Sequence, residues 1–470
     1  MLSPLSPYRL CARSLVAVLF VAAAAGSVQA VAPFTLETVD GGPGAVVGEY
    51  TSMKLDRHGR PHIAYYDAVG GNLRYAHHDG SQWWIEVADG AAADVGQFAS
   101  LALDTLGTPH IAYYDETIGK LRYTTKVNGT WIREVADSSS FDCGWYPSIA
   151  MDANQHPWIA SYDRGRGNPR VARRIGTNRW QRSTVDTTFD LSGFYTTLAV
   201  DSAFRPHVAY YNLTRGTLQY ATVVNGAWRI ETADSTGADI GLYSSLALDA
   251  TGRVHVAHMD LTNGDVRYAR RNPATGAWSQ EVAVGGPNIA GYDCAMTLDP
   301  AGLPNLSYHD GTTLHFAMAR KTPTGSWQVL TVDDSPGVTG LYSSIASDRL
   351  GNLCMSYWDG SAYRLRFARM PSSLLDVNPT APGLRALTVS PNPAPAGARI
   401  RLAGASTLRA FEVFDVMGRQ LAHLPTDGTG RAEWDARTST GVEVEAGVYF
   451  ARGVERDGRR GVATLLTIVR

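Results

Sequence analysis

Between residues 34 and 370 the chain alternates short apolar runs with clusters of Gly, Asn, Asp and Pro, and no stretch sustains a helical period. One unit reads FASLALD (98–104), PHIAYYD (109–115), LRYTTKV (121–127) and TWIREVAD (130–137). Each run is short, rich in β-branched or aromatic residues and bounded by turn formers, which predicts four strands. The second run and its sequel, RPHIAYYDAVGGNLRYA (60–76), recur as TPHIAYYDETIGKLRYT (108–124), HPWIASYDRGRGNPRVA (156–172), RPHVAYYNLTRGTLQYA (205–221), RVHVAHMDLTNGDVRYA (253–269), LPNLSYHDGTTLHFA (303–317) and NLCMSYWDGSAYRLRFA (352–368). The equivalent positions Asp67, Asp115, Asp163, Asn212, Asp260, Asp310 and Asp359 are separated by 48, 48, 49, 48, 50 and 49 residues. Four strands per unit of this length is the pattern of a propeller blade, so the chain is expected to be all-β, with a seven-bladed β-propeller over 31–370.

The fourth strand of six copies opens on a tryptophan: Trp84, Trp131, Trp180, Trp228, Trp278 and Trp327. The seventh copy stops at LRFARM (365–370) without one, whereas FTLETVD (34–40) reads like WRIETAD (228–234). The N-terminal strand is therefore expected to complete the last blade and hide both edges. Counting outward from the turn at Asp56 and Pro61 pairs Tyr50 with Asp67. The same count pairs Phe98 with Asp115, Tyr146 with Asp163, Tyr195 with Asn212, Tyr243 with Asp260 and Tyr342 with Asp359. These pairs are expected to ring one mouth of the central channel.

After residue 370 the period ends. PSSLLDVNPTAPG (371–383) reads as a linker, and 384–470 shows a further set of strand-like runs that predicts a small antiparallel sandwich. SPNP (390–393), FDVMGR (414–419), WDAR (434–437), AGVYF (446–450) and the final hydrophobic run resemble the immunoglobulin-like domain of the flagellar hook-capping protein and the type IX secretion sorting domains related to it. The resemblance implies export machinery as a partner and residence outside the cell, or on the outer-membrane surface, of a Gram-negative bacterium. The propeller more loosely resembles the secreted sialidase-like, BNR-like group, without its Ser-x-Asp-x-Gly-x-Thr-Trp boxes, and no catalytic residue is carried across.

Composition changes this picture little. The 470 residues include 47 Gly, 11 Trp and 22 Tyr, carry a net charge of −2 and contain no run of Lys or Arg that would mark a nucleic-acid partner. Residues 1–30 read as a removed signal peptide: Arg9 and Arg13, then the apolar SLVAVLFVAAAAG (14–26), then VQA. No membrane-spanning segment is expected in the mature chain. Cys11 leaves with the signal. Cys143, Cys294 and Cys354 give no disulfide framework, although a Cys294–Cys354 bridge is conceivable.

Candidate chemistry is confined to the ring. The cluster His62-Tyr65-Tyr66-Asp67 recurs with substitutions in every copy, which favours packing and turn-fixing over catalysis. A ring of aromatics and acids suits stacking on sugar rings and accepting hydroxyl hydrogen bonds. Tyr50, Asp67, Tyr146, Asp163, Tyr195, Tyr243, Asp260, Tyr342 and Asp359 are therefore candidate ligand-binding residues, joined by the loop acids Asp94, Asp142, Asp190 and Asp239. The sixth copy departs: Asp293 replaces the tyrosine and is expected to face Asp310, a pair suited to Ca²⁺ or to acid–base work. Three readings follow: a glycan- or surface-protein-binding propeller without catalysis, a polysaccharide lyase or glycoside hydrolase using Asp293, Asp310 and His309, or a structural surface scaffold. No phosphate loop, serine elbow, HExxH or CxxC motif is present.

Overall fold

The computed structural model describes residues 34–372 and 387–469, apart from 91–93, 238, 393, 396, 405, 416–418 and 457–459. The expected signal peptide at 1–30 and the expected linker from residue 373 onward lie outside the described residues. All regular structure is β, in seven consecutive four-stranded antiparallel sheets followed by a three-stranded and a five-stranded sheet. Blades 1 to 6 span residues 47–89, 95–137, 145–184, 192–234, 240–284 and 292–333. Blade 7 takes three strands from 339–370, and its fourth is Thr35–Asp40, which pairs with Arg364–Met370.

The first strand of each blade lies at the hub, because first strands touch one another. A serine or threonine on six of the seven accepts a backbone N–H from the next: Ser52 from Leu101, Ser100 from Ile149, Ser148 from Leu198, Thr197 from Leu246 and Ser245 from Met296, at 3.0–3.1 Å. Ser344 of blade 7 accepts from Met53 of blade 1 at 3.0 Å, so the series runs across the seam. Second strands are buried on both faces, as in Pro61–Asp67 and Pro109–Asp115. Fourth strands are outermost and alternate, with Ile85, Val87, Ile132 and Val135 outside.

Apolar side chains of neighbouring blades share each core. Leu73, Tyr75 and Ala88 of blade 1 pack with Leu101, Ile111 and Tyr113 of blade 2. An aromatic on the third strand meets the tryptophan of the next fourth strand edge-on: Tyr75–Trp131, Tyr123–Trp180, Tyr220–Trp278 and Tyr268–Trp327, at 5.2–5.5 Å. Such pairs contribute about 1 kcal/mol each beyond their burial. In blade 1 this place belongs to Trp83, which meets Phe367 at 5.4 Å and donates to Glu37, and not to Trp84, which is exposed. The doubled tryptophan hides a one-residue register choice, and the apolar partner takes the nearer ring.

The last two sheets share a second core, with Ile400, Leu402 and Trp434 from one and Phe411, Val413 and Leu466 from the other. Trp434 is satisfied there by donating Nε1–H to the carbonyl of Arg437 at 2.7 Å. Cys143, Cys294 and Cys354 are free thiols buried among apolar neighbours, so the Cys294–Cys354 bridge does not form. Among the described residues no helix is long and apolar enough to cross a membrane.

Candidate functional site

The first strands of blades 1, 2, 4, 5 and 7 enter the hub through two bulges, and those of blades 3 and 6 show the second of them. In blade 1 Val47 pairs with Asp67, Glu49 with Tyr66 and Ser52 with Ala64, so Gly48 is an extra residue and Tyr50 and Thr51 together face Tyr65. The expected pairs, Tyr50 with Asp67 through Tyr342 with Asp359, are thereby corrected, because a bulge sets two residues opposite one and breaks a simple count. Val95, Ser192, Ile240 and Thr339 stand opposite Asp115, Asn212, Asp260 and Asp359. In blade 3 Trp145 is opposite Tyr162. Gly48 has φ +100°, and a Cβ there would lie 2.8 Å from the backbone of Leu365 in blade 7, so only glycine admits this approach.

The bulged aromatics are left-handed: Tyr50, Phe98, Tyr146, Tyr195, Tyr243 and Tyr342 have φ of 49–55°. Their rings form an annulus round the axis, with centroids 4.6 Å apart for Tyr50–Phe98, 4.8 Å for Phe98–Tyr146 and Tyr146–Tyr195, 4.5 Å for Tyr195–Tyr243 and 4.7 Å for Tyr342–Tyr50. Burial pushes the phenols of Tyr146, Tyr243 and Tyr342 well above their ordinary range, so they stay protonated.

Asp293 closes the annulus between Tyr243 and Tyr342 at φ 51°. Its Oδ2 accepts the backbone N–H of Tyr342 at 2.9 Å, and its carbonyl accepts the Ser343 hydroxyl at 2.9 Å. The expected facing of Asp293 and Asp310 is corrected for the same reason as the other pairs. Tyr292 is opposite His309, and Asp310 instead caps its own turn through the N–H groups of Thr312 and Thr313. Among the described residues no three His, Cys, Asp or Glu side chains converge as a metal would require.

The acids of the second strands are buried rather than lining an open rim. Asp67 caps Val69 and Gly70, Asp163 caps Arg166, Asp260 caps Asn263, and Asp359 caps Ser361 and Ala362. Outside Asp260, whose second oxygen accepts Asn263 Nδ2–H at 2.9 Å, an arginine that also reaches the preceding blade faces these acids: Arg74 joins Asp67 at 2.7 Å to Asp40 at 3.1 Å, and Arg122 joins Asp115 at 3.0 Å to Asp89 at 3.4 Å. The loop acids are engaged as well. Asp94 accepts from the Tyr66 hydroxyl at 2.7 Å, Asp142 from Tyr114 at 2.8 Å, Asp239 from Tyr211, and Asp190 from Asn212 at 3.1 Å.

What remains open at this mouth is a position the sequence reading passed over. The residue just before each left-handed one is Glu49, Gln97, Trp145, Phe194, Leu242, Tyr292 or Leu341, and all seven are half-exposed. Six different residue types occupy seven equivalent places on a repeated scaffold. Superposing the copies on the glycine of the G-x-[YF] step would have exposed this series. Its most elaborate sector is blade 3, where Arg164 lies 4.9 Å over the Trp145 ring and Asp142 accepts both Trp145 Nε1–H at 2.9 Å and Arg164 at 3.0 Å. Phe141, Phe189 and Tyr363 stand exposed on loops of the same face.

No family model matches the chain, and no curated protein matches it. Solved structures similar to it include a protein of unknown function from Dyadobacter fermentans, at TM-score 0.45 and 11% identity over 71% of this chain and 97% of that one. The SapL1 lectin in complex with alpha methyl fucoside is similar at TM-score 0.43 and 11% identity, over 61% and 97%. A mutant of the NanB sialidase from Streptococcus pneumoniae is similar at TM-score 0.40 and 11% identity, over 69% and 68%. Likeness of this degree does not transfer a ligand or an activity from one chain to another.

Proposed function

We propose that the chain is an exported recognition protein whose propeller binds a glycan at the mouth on the loop-bearing face. The observation that carries this reading is the half-exposed series Glu49, Gln97, Trp145, Phe194, Leu242, Tyr292 and Leu341, which varies while its surroundings repeat. Aromatic side chains there offer faces and edges to sugar C–H groups, and Glu49 and Gln97 offer acceptors to hydroxyls. Tyr50, Tyr146, Tyr195, Tyr243 and Tyr342 form the floor beneath the ligand, and Asp67, Asp163, Asp260 and Asp359 hold that floor in place. Seven non-identical contacts on one symmetric frame suit binding better than catalysis, which needs one unique centre.

The test is a glycan array probed with the mature protein, with and without Ca²⁺. Trp145→Ala and Tyr292→Ala are expected to weaken any hit by roughly tenfold or more, and Trp84→Ala, on the outer strand, to leave it unchanged. An array without hits, or a Trp145→Ala protein that binds like wild type, sinks the reading.

Blade 6 favours a second reading, a lyase or hydrolase acting at the same mouth. His309 is buried, and its Nδ1 hydrogen-bonds the carbonyl of Thr339 at 2.7 Å. That bond places the proton on Nδ1 and leaves Nε2 as a base, and burial lowers the pKa, which keeps the ring neutral. Tyr292 lies 6.4 Å away, ring to ring. Release of unsaturated or reducing ends from acidic polysaccharides, lost in His309→Ala, would favour this reading over binding alone. Removal of residues 1–30 and export through a sorting domain at 384–470 complete the proposal; truncation before residue 384 is expected to trap the propeller inside the cell envelope.

A further inference from the structure

Below the annulus, the central channel holds a cation without a partner. The chain has four lysines: Lys54, Lys120, Lys126 and Lys321. Lys120 donates to the carbonyl of Ser140, Lys126 pairs with Glu86 and Lys321 pairs with Glu281. Nζ of Lys54 has neither a carboxylate nor a hydrogen-bond acceptor among the described residues. Lys54 lies on the first strand of blade 1, two residues past Ser52 and so on the same side of the strand. The equivalent places in the other blades, read from the strand registers, are Ala102, Ala150, Ala199, Ala247, Thr297 and Ala346. One long cationic side chain thus occupies a level that six short side chains leave open. Lys54 is exposed to solvent on a strand flanked by the first strands of blades 2 and 7, yet the surrounding protein desolvates it, as it would a group inside a water-filled lumen. Burial lowers its pKa, and no counter-charge offsets that cost.

The next level towards the annulus, one side-chain repeat along the strand, carries a ring of donors. Ser52, Ser100, Ser148, Thr197, Ser245 and Ser344 each spend an oxygen lone pair on the N–H of the next blade. Their own O–H hydrogens have no acceptor among the described residues, and five of the six side chains are half-exposed. A hydroxyl that already accepts is a ready donor. Hydroxyl donors around an axis, with one ammonium beside them and no acid at that level, complement negative charge.

We propose that the lower half of the central channel binds one small oxyanion, a sulfate or the carboxylate of an acidic sugar, between Nζ of Lys54 and this hydroxyl ring. The annulus of Tyr50, Phe98, Tyr146, Tyr195, Tyr243, Asp293 and Tyr342 constricts the axis above it, so the anion enters from the face opposite the blade-joining loops. The site is separate from the glycan mouth and stands or falls without it.

The experiment is calorimetric titration of the mature protein with sodium sulfate and with sodium glucuronate, against sodium chloride at matched ionic strength. One saturable site is expected, weakened roughly tenfold or more in Lys54→Ala, as loss of a charge-assisted contact implies. That variant installs the residue five other blades use, so its fold is expected to persist, and an unchanged melting curve checks this. A second readout is acetylation followed by peptide mapping: the bound anion slows modification of Lys54 and leaves Lys321 unaffected. Saturation by sulfate alone assigns an inorganic ligand, and tighter binding of glucuronate assigns an acidic sugar. Absence of a saturable site for both salts, or equal affinity in Lys54→Ala, overturns the proposal.

Discussion

The joint between blades 1 and 2 and the joint between blades 5 and 6 share strand order but differ in chemistry. At the first, Asp89 ends the outer strand of blade 1 and accepts the Tyr113 hydroxyl at 2.6 Å, with Arg122 and Arg133 beside it at 3.4 and 2.9 Å. At the second, the corresponding residues are Val284, Tyr308 and Ala317, all in one apolar cluster. Four of the remaining joints resemble the first in setting an arginine against the carboxylate, with Asp40, Asp137, Asp234 and Asp333 in the place of Asp89; at the joint between blades 3 and 4 Asp186 accepts the Tyr210 hydroxyl and Gln219 stands in the arginine's place. Neighbouring blades therefore do not need the ion network in order to pack. Where a carboxylate is buried, though, it is met by an arginine or, at Asp186, by the hydroxyls of Tyr210, Thr188 and Ser192, because a lone buried charge costs far more than the pair contributes.

The joint between blades 7 and 1 is the strongest way to break the comparison, since its carboxylate, Asp40, comes from the other end of the chain. Deleting residues 34–40 removes a strand, leaves the buried Tyr65 hydroxyl without its acceptor and takes one of the two carboxylates from Arg74; against a total stability of about 5–15 kcal/mol, the protein is expected to be unfolded by circular dichroism. Asp89→Ala comes next and is expected to cost about 3–5 kcal/mol in urea denaturation. The triple change Asp89→Val, Arg122→Ala and Asp115→Asn, the last because Arg122 also holds the buried Asp115, approximates the joint between blades 5 and 6 and should recover most of that loss. If the triple variant is no more stable than the single one, the two chemistries are not interchangeable.

Acid sharpens the contrast. His62, His110, His207 and His255 each share a hydrogen bond with a tyrosine, at 2.5–2.6 Å, whereas blade 6 has Asn305 and Met318 instead. Burial lowers all four pKa values, that of His62 to about 4. A depressed histidine binds fewer protons folded than unfolded, so its contribution is lost as pH falls from about 6.5 towards 4, by about 3 kcal/mol for a shift of that size. Combining His62→Asn with Tyr75→Met should flatten the pH dependence of the melting temperature in that window; an unchanged slope would show that the histidines do not set it.

Smaller effects belong to the joint between blades 6 and 7. Ala295 there lacks the hydroxyl that the other six first strands supply, and Asp293, with Ser307 to Ser343 at 2.9 Å, takes over. Asp293→Ala orphans the Tyr342 N–H and is expected to cost about 1–3 kcal/mol. Ala295→Ser restores the missing donor and acceptor and is expected to add at most about 1 kcal/mol, read as a small rise in melting temperature.

Strand content, the count of seven units and the strands of the C-terminal sheets were legible because each rests on a short periodic pattern closed by turn residues. The unpaired seventh copy pointed to residues 34–40 for the same reason: an outer strand must have a partner, and only FTLETVD lacked one. The bulge was not legible. Nothing about Tyr50 or Tyr243 announces a left-handed backbone, which the sequence marks only by the glycine two residues earlier. Every expected pairing near the mouth slipped as a consequence. Lys54 was visible as the odd member of an alanine series, but its meaning needed the knowledge that this series faces the axis.

The first strands of seven consecutive blades each hold one non-glycine residue near φ +50°, a conformation that costs about 1–2 kcal/mol apiece. Together this approaches the whole stability of an ordinary domain. The hub behaves like a hoop under tension: each bulge is kept only by the two beside it. A blade excised from the circle has nothing to hold its tyrosine left-handed, and its first strand relaxes into the straight pairing that a simple residue count suggests. Fragments of the circle are therefore expected to be poor substitutes for the whole, and assembly to be an all-or-none event.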